Sequence, residues 1–447
     1  MPASKWKRCV SSALLRLLCL CLGVCVVICG MSQSASSGHR VHVRFSSARS
    51  EVLHKLHERR KYRPGNLEAA HVEEAAEAML RVRSQDQLEA SPVEEVVAAV
   101  LEVARLPAAE LQLALDQSSH SAAFSLGNLS RGECPRGRVA WLPEQPLGGP
   151  AAQFRARASR PSGQPPAIVW YDHVSKAGGS AFCNLARRNM AKSEVPAYWC
   201  MPSYPGMLDA RVGQWSNDQL VGYVLRTNHT LVANEWEPFP AERFDMDPRL
   251  LQMVFVTSLR EPLDRLLSAY RQWPHRPAPN DRKEQEEDFW KWVTQRLDRA
   301  RTDSKDPSGL GKGCNTGNNF TARVGQPNFA TWKFSGGKLP PFGGPFDATP
   351  VEQWVEPFST AVSTLSRFDL VIPLDLLSTE PQVVTDVLGW HDLSNSHMVN
   401  HGPVYNSHAR SFLTDAHYEE LWDANRLDLV LYAWVRAVYL ARLHCNA

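Results

Sequence analysis

An α/β fold with a mainly parallel central sheet is what the sequence predicts, on three observations. Apolar runs at 167–171, 230–234, 252–257 and 368–372 have the length of strands and alternate with segments of helical character. The first run passes into a helix opening near Ala181 through VSKAGGSAF (174–182), a glycine turn that carries a lysine. The third passes into a helix at Pro262 through TSLREP, which leaves Arg260 at the end of a strand. Strands connected through helices in this way run parallel.

From the N-terminus, Val10 to Ile28 is an apolar run broken only by Ser11, Ser12 and Arg16, and it follows Lys5, Lys7 and Arg8. It is long enough to span a bilayer. A cleaved signal peptide competes with an uncleaved anchor, but no sharp A-x-A site follows, which favours an anchor over residues 10–30 with residues 1–9 in the cytosol. Arg40, Arg44 and Arg49 lie beyond the span, so the orientation rests on the short basic head. Of the ten cysteines, Cys9, Cys19, Cys21, Cys25 and Cys29 belong to this segment, where they serve as small hydrophobes or, at Cys9, as a palmitoyl acceptor. Cys134, Cys183, Cys200, Cys314 and Cys445 lack zinc-site spacing and allow up to two disulfides of undetermined pairing in a luminal body. The sequons at Asn128, Asn228 and Asn319 agree with that compartment.

Residues 31–126 read as a stem. Residues 31–50 are Ser-rich and basic, Leu67, Ala70, Val72, Ala75, Ala76, Met79 and Leu80 follow a helical period, and Ser91-Pro92-Val93-Glu94 opens a further helix. Such helices form either a spacer that holds the body off the membrane or a self-associating stalk. Gly, Pro, Arg and Ser mark residues 127–166 as a linker, so the main domain spans 167–447. Its further helices are expected at 180–191, 262–272, 285–299, from Thr349-Pro350-Val351-Glu352 with capping-box chemistry, and across 414–443. Residues 302–319 read as a surface loop. A hydrophobic content of 43% supports a sizeable core. The net charge of only +2 argues against a nucleic-acid partner, so any basic site is local.

The lysine turn has the makings of an anion cradle. Gly178 and Gly179 let the backbone turn and approach a ligand, the amides at the helix start point toward negative charge, Lys176 adds a compact cation and Ser180 a hydroxyl. It is not a Walker A loop, because no GK[ST] follows a GxxxxG, which argues against an ordinary ATPase or kinase. Arg260 can grip a phosphate through its fork of donors, and Ser268 lies two helical turns on. In open α/β sheets ligands gather at the carboxyl ends of strands, where both segments fall. Arg265 and Arg271 are expected to pair with Glu261 and Asp264 on a solvated helix face.

VSKAGGSAF resembles the 5′-phosphosulfate loop of the membrane-bound carbohydrate sulfotransferases, and TSLREPLDRLLSAYR resembles their 3′-phosphate motif. NFATWKFSGG (328–337) and RFDLVIPLD (367–375) are similar to segments of the heparan sulfate 2-O- and 6-O-sulfotransferase group, so the likeness covers roughly residues 167–443. The resemblance implies a P-loop-like fold in the Golgi lumen that binds 3′-phosphoadenosine 5′-phosphosulfate and passes the sulfuryl group in line to a glycan hydroxyl, with no metal required. It implies that Ser175, Lys176, Ala177, Gly178, Gly179, Ser180 and Ala181 form the 5′-phosphosulfate site, with Lys176 on the leaving group. Arg260 and Ser268 would hold the 3′-phosphate.

The sequence departs from these relatives at the base. They carry a histidine after the strand between the two loops, whereas LVANEWEPF (231–239) places Glu235 there. Glu235 is either the general base or an exposed loop acid. His229 belongs to a sequon, and His173 is expected to pack against or orient the lysine loop. Trp332 also stands where relatives usually have arginine, so a catalytically impaired glycan- or nucleotide-binding relative is the alternative reading. Arg187, Arg188 and Lys192 either touch an anionic glycan or form a solvated face, and Trp199, Trp236, Trp273, Trp290 and Trp292 either stack on sugar or fill the core.

Overall fold

Short strands buried on both faces need helices above and below them, and the chain supplies these in alternation. The computed structural model describes residues 92–112, 115, 166–202, 211–272, 281–302, 324–338, 346–394 and 408–445. The cytosolic tail (1–9), the anchor (10–30), the stem up to residue 91 and most of the linker lie outside them, as do the sequons at Asn128 and Asn319, Cys134, Cys314, Trp273 and most of the loop 302–319. Among the described residues no helix is long and apolar enough to cross a membrane.

The elements run α1 (Pro92–Ala104), β1 (Ala167–His173), α2 (Gly179–Asn189), α3 (Asn217–Thr227), β2 (Leu231–Asn234), β3 (Gln252–Leu259), α4 (Pro262–Gln272) and α5 (Arg282–Thr302). They continue with α6 (Phe329–Phe334), α7 (Val351–Ser366), β4 (Leu370–Pro373), α8 (Gln382–Leu388), α9 (Ala409–Phe412), α10 (Asp415–Ala424) and α11 (Arg426–Cys445). The strands form one all-parallel sheet in the order β2-β1-β3-β4. Because side chains alternate along a strand, Ile168, Trp170, Met253 and Phe255 join a core with α3, α4, α7 and α11, whereas Val169, Tyr171, Val254 and Val256 pack with α2 and α8 on the other face. The expected α/β class with a mainly parallel sheet is therefore what the chain forms.

Several expectations change. Helix α1, assigned to the stem, instead buries Val100, Val103 and Ala104 in the main core beside α7 and α11, and the Arg426 guanidinium donates to the Leu106 carbonyl at 3.4 Å. Its apolar face requires a partner, and the body supplies one. The body thus extends at least to Pro92 on its N-terminal side. Arg265 is buried rather than solvated: it donates to the carbonyls of Val324 (2.7 Å) and Gln326 (3.1 Å) and lies over the Phe329 ring. Asp264 instead accepts from the Ala409 amide and contacts His408. At α7 the N-cap is Pro350, without a side-chain capping bond, so the expected capping box does not form.

One disulfide occurs among the described residues, Cys183–Cys200, with Cα atoms 5.8 Å apart. It ties α2 to a tight turn, Tyr198-Trp199-Cys200-Met201, closed by the Met201 amide donating to the Tyr198 carbonyl at 2.8 Å. Trp199 (φ 48°) and Cys200 (φ 61°) are both left-handed, the signature of a type I′ turn that normally takes Gly, Asn or Asp at those positions. Each non-glycine residue held this way costs about 1–2 kcal/mol.

Candidate active site

The strand order sets where a ligand can sit. The connection from β1 leads to β2 on one side, and that from β3 leads to β4 on the other. The loops after β1 and β3 therefore diverge and leave a crevice between them at the carboxyl edge of the sheet. The lysine turn and Arg260 flank that crevice.

The turn is held from below. Ser258, opposite His173 in the β1–β3 register, donates its hydroxyl to the Ala177 carbonyl at 2.6 Å and lies 2.5 Å from the Tyr171 hydroxyl. Lys176 adopts a left-handed φ of 67°, and the Ala177 amide closes the turn on the Val174 carbonyl at 3.0 Å. That amide is thus not available to a phosphate, contrary to the role given to it above. The amides of Gly178, Gly179, Ser180 and Ala181 have no acceptor among the described residues and open toward the crevice as the first turn of α2. Glycine is required at two of these positions. A Cβ at Gly178 (φ 96°) would meet Leu374 Cδ1 at 2.4 Å, and one at Gly179 would meet His173 Nε2 at 2.0 Å.

Across the crevice, Arg260 follows β3 and Ser268 lies partly buried on α4. Neither side chain makes a hydrogen bond or ion pair among the described residues. Burial weakens the Arg260 hold on its proton, with Asp264, Glu261 and Tyr432 opposing from a distance. The Lys176 ammonium contacts Gln272 Oε1 at 3.4 Å; burial depresses its pKa, Glu235 opposes this, and Arg260 adds to the depression. Two partly desolvated cations thus face one crevice, and an anion with charge at two points would relieve both.

Glu235 stands at the end of β2, two residues past Ala233, and its side chain is only 14% exposed with Oε2 3.5 Å from His173 Nδ1. It is not an exposed loop acid. Burial pushes its pKa up, but the charge and hydrogen bond of His173, the Ser175 hydroxyl and the Lys333 ammonium outweigh that and hold it below the usual carboxylate value. The Ser175 hydroxyl is fully buried and meets no partner at ordinary hydrogen-bond geometry, so His173 and Lys333 provide the firmer hold. His173 therefore links Glu235 to the glycine turn, in keeping with an orienting role. His229 precedes β2 at the opposite edge of the sheet, bonded to the Tyr223 hydroxyl.

The positioning of Glu235 depends on residues that sequence reasoning passed over. Lys333 on α6 is fully buried and pairs with fully buried Asp172 at 2.8 Å. Its ammonium also donates to the carbonyls of Asn234 (3.3 Å), Glu235 (3.4 Å) and Glu237 (2.7 Å), fixing the backbone on both sides of Glu235. Asp172 Oδ2 accepts from Trp170 Nε1 and Asn234 Nδ2, each at 3.0 Å. Glu237 is buried against Gly213 and lies 3.3 Å from Arg211; burial pushes its pKa to about 7 despite that arginine. It faces the Gly213 turn and Arg211. The only signals for this network were a polar residue inside strand β1 and a lysine inside an aromatic helix.

Of the remaining candidates, Arg187 and Arg188 are held by the carbonyls of Ala197 and Ser394. Trp292 and Trp332 are buried, and Trp290 stacks on His417. Trp199 is 53% exposed. No protein family, curated protein or solved structure matches this chain.

Proposed function

We propose that this chain is a carbohydrate O-sulfotransferase with a P-loop-like fold, anchored by one N-terminal span in the Golgi membrane, that uses 3′-phosphoadenosine 5′-phosphosulfate. One observation carries the reading: an Arg260 guanidinium with no ion pair among the described residues shares the switch-point crevice with four free amides and a desolvated lysine. A donor phosphorylated at both ends of its adenosine offers one anionic group to each of these two sites. The luminal setting is supported by the disulfide and by the exposed sequon residue Asn228.

The donor supplies an activated sulfuryl group, and the chain binds and orients it. Gly178 to Ala181 hold the 5′-phosphate through backbone amides, with Ser180 able to add its hydroxyl. Arg260 grips the 3′-phosphate with Ser268 beside it. Lys176 neutralises the charge that grows on the leaving phosphate as the S–O bond to it breaks. Glu235 takes the proton from the glycan hydroxyl as the new O–S bond forms. A depressed pKa makes Glu235 a weak base, which suffices where the transferring group is loosely bonded in the transition state and the proton leaves late.

Three outcomes follow. Glu235→Gln should lower kcat by about 10²-fold or more with donor KM nearly unchanged. Since its surroundings hold the Glu235 pKa below the usual carboxylate value, the acid limb that it contributes to the wild-type kcat profile should lie on the acid side of an ordinary glutamate's. Arg260→Ala should raise donor KM by about 10–100-fold, the loss of one charge-assisted pair. The overall test is incubation of labelled donor with a glycan library, followed by linkage mapping. The weak basicity of Glu235 also favours a second reading, a binding relative without turnover; donor binding with no transfer to any library member would select it.

A further inference from the structure

Three features of the 198–201 turn converge. It carries the exposed aromatics Tyr198 (51%) and Trp199 (53%), and Trp199 touches no other ring and makes no hydrogen bond among the described residues. Trp199 nevertheless occupies a left-handed position that favours Gly or Asn, so neither packing nor backbone preference explains a tryptophan there. The turn is also rigidly placed: the disulfide binds it to α2, Arg187 donates to the Ala197 carbonyl at 2.7 Å, and the Cys200 carbonyl accepts from the Ala233 amide at 2.9 Å. Ala233 lies two residues before Glu235 on β2, the edge strand. The turn therefore borders Glu235 from the side opposite β3, where Arg260 lies.

We infer that this turn is the acceptor platform, with Trp199 stacking on the apolar C–H face of a pyranose ring in the glycan and Tyr198 flanking it. The inference rests on the sulfotransferase reading for the identity of the ligand as an acceptor. It divides the site by strand: nucleotide on the β3 side, glycan on the β2 side, and the lysine turn between them on β1. An aromatic face binds a sugar ring without counting its charges, so the acceptor is selected by ring shape at this point and not by net anionic charge.

The test uses the full-length chain, wild type and Trp199→Asn, with immobilised octasaccharides of heparosan, chondroitin and poly-N-acetyllactosamine in the presence of 3′-phosphoadenosine 5′-phosphate. Asparagine tolerates the left-handed backbone, so the variant should melt at the wild-type temperature or higher while losing at least about tenfold in glycan affinity. Trp199→Phe should retain affinity to within about threefold. Wild-type affinity in Trp199→Asn, or no binding of any of the three glycans by the wild type, overturns the platform. Lost binding accompanied by a lower melting temperature also overturns it, because Trp199 would then be structural. Titration with the nucleotide alone separates the two ideas: nucleotide binding without glycan binding removes the platform and keeps the donor site, whereas glycan binding that depends on Trp199 without nucleotide binding does the reverse.

Discussion

Lys176→Ala is expected to lower turnover by about 10²–10³-fold, the usual cost of removing one preorganised charge from a developing oxyanion. The fold should survive. Alanine keeps the Cβ at a left-handed φ of 67°, so backbone strain is unchanged, and removal of a partly desolvated ammonium relieves burial. Near-UV circular dichroism should match the wild type, and donor KM should move less than kcat because Gly178 to Ala181 still bind the 5′-phosphate. Lys176→Arg should recover little, since a planar fork cannot reproduce a point charge on this strained turn. Retained turnover in the alanine variant would remove Lys176 from the mechanism.

The largest effect on stability is expected at Lys333. Lys333→Met leaves the Asp172 carboxylate, fully buried, without its cation, and breaking one side of such a pair costs about 3–5 kcal/mol. Urea titration of the full chain would measure it. The carbonyls of Asn234, Glu235 and Glu237 lose the ammonium donor at the same time, and Glu237 keeps only the 3.3 Å contact from Asn234 Nδ2, so the backbone around Glu235 loosens and kcat falls even where the protein remains folded. Adding Asp172→Asn should restore part of the stability by removing the stranded charge, yet kcat should stay low because the ammonium that tied these carbonyls together is still missing. A single variant as stable and active as wild type would show that the buried pair neither supports the fold nor positions Glu235.

The strand, glycine turn and helix around Lys176 were legible because each announces itself locally. Arg260 and Ser268 were likewise placed by a strand end and by the two-turn spacing on α4. What the sequence concealed depends on contacts between distant residues. Lys333 carries no local sign of burial; only when α6 packs on α7 and α11 does its ammonium reach the buried Asp172. Arg265 shares its helix with acids but turns inward, toward carbonyls at Val324 and Gln326. Five body cysteines permitted many pairings, and the left-handed turn at Trp199 carries no Gly or Asn to betray it. Helix α3 carries a local signal in the sequence, the Ser216–Gln219 capping box.

On the proposed function, Arg260 and the lysine turn together read both phosphates of one nucleotide. Isothermal titration of the full-length protein with 3′-phosphoadenosine 5′-phosphate and with 5′-AMP tests it directly, using wild type and Arg260→Ala. The wild type should bind the bisphosphate at least about tenfold more tightly than 5′-AMP, as loss of a charge-assisted contact requires, and Arg260→Ala should abolish the difference. Equal affinity of the wild type for the two nucleotides, or a preference that persists in Arg260→Ala, would contradict it.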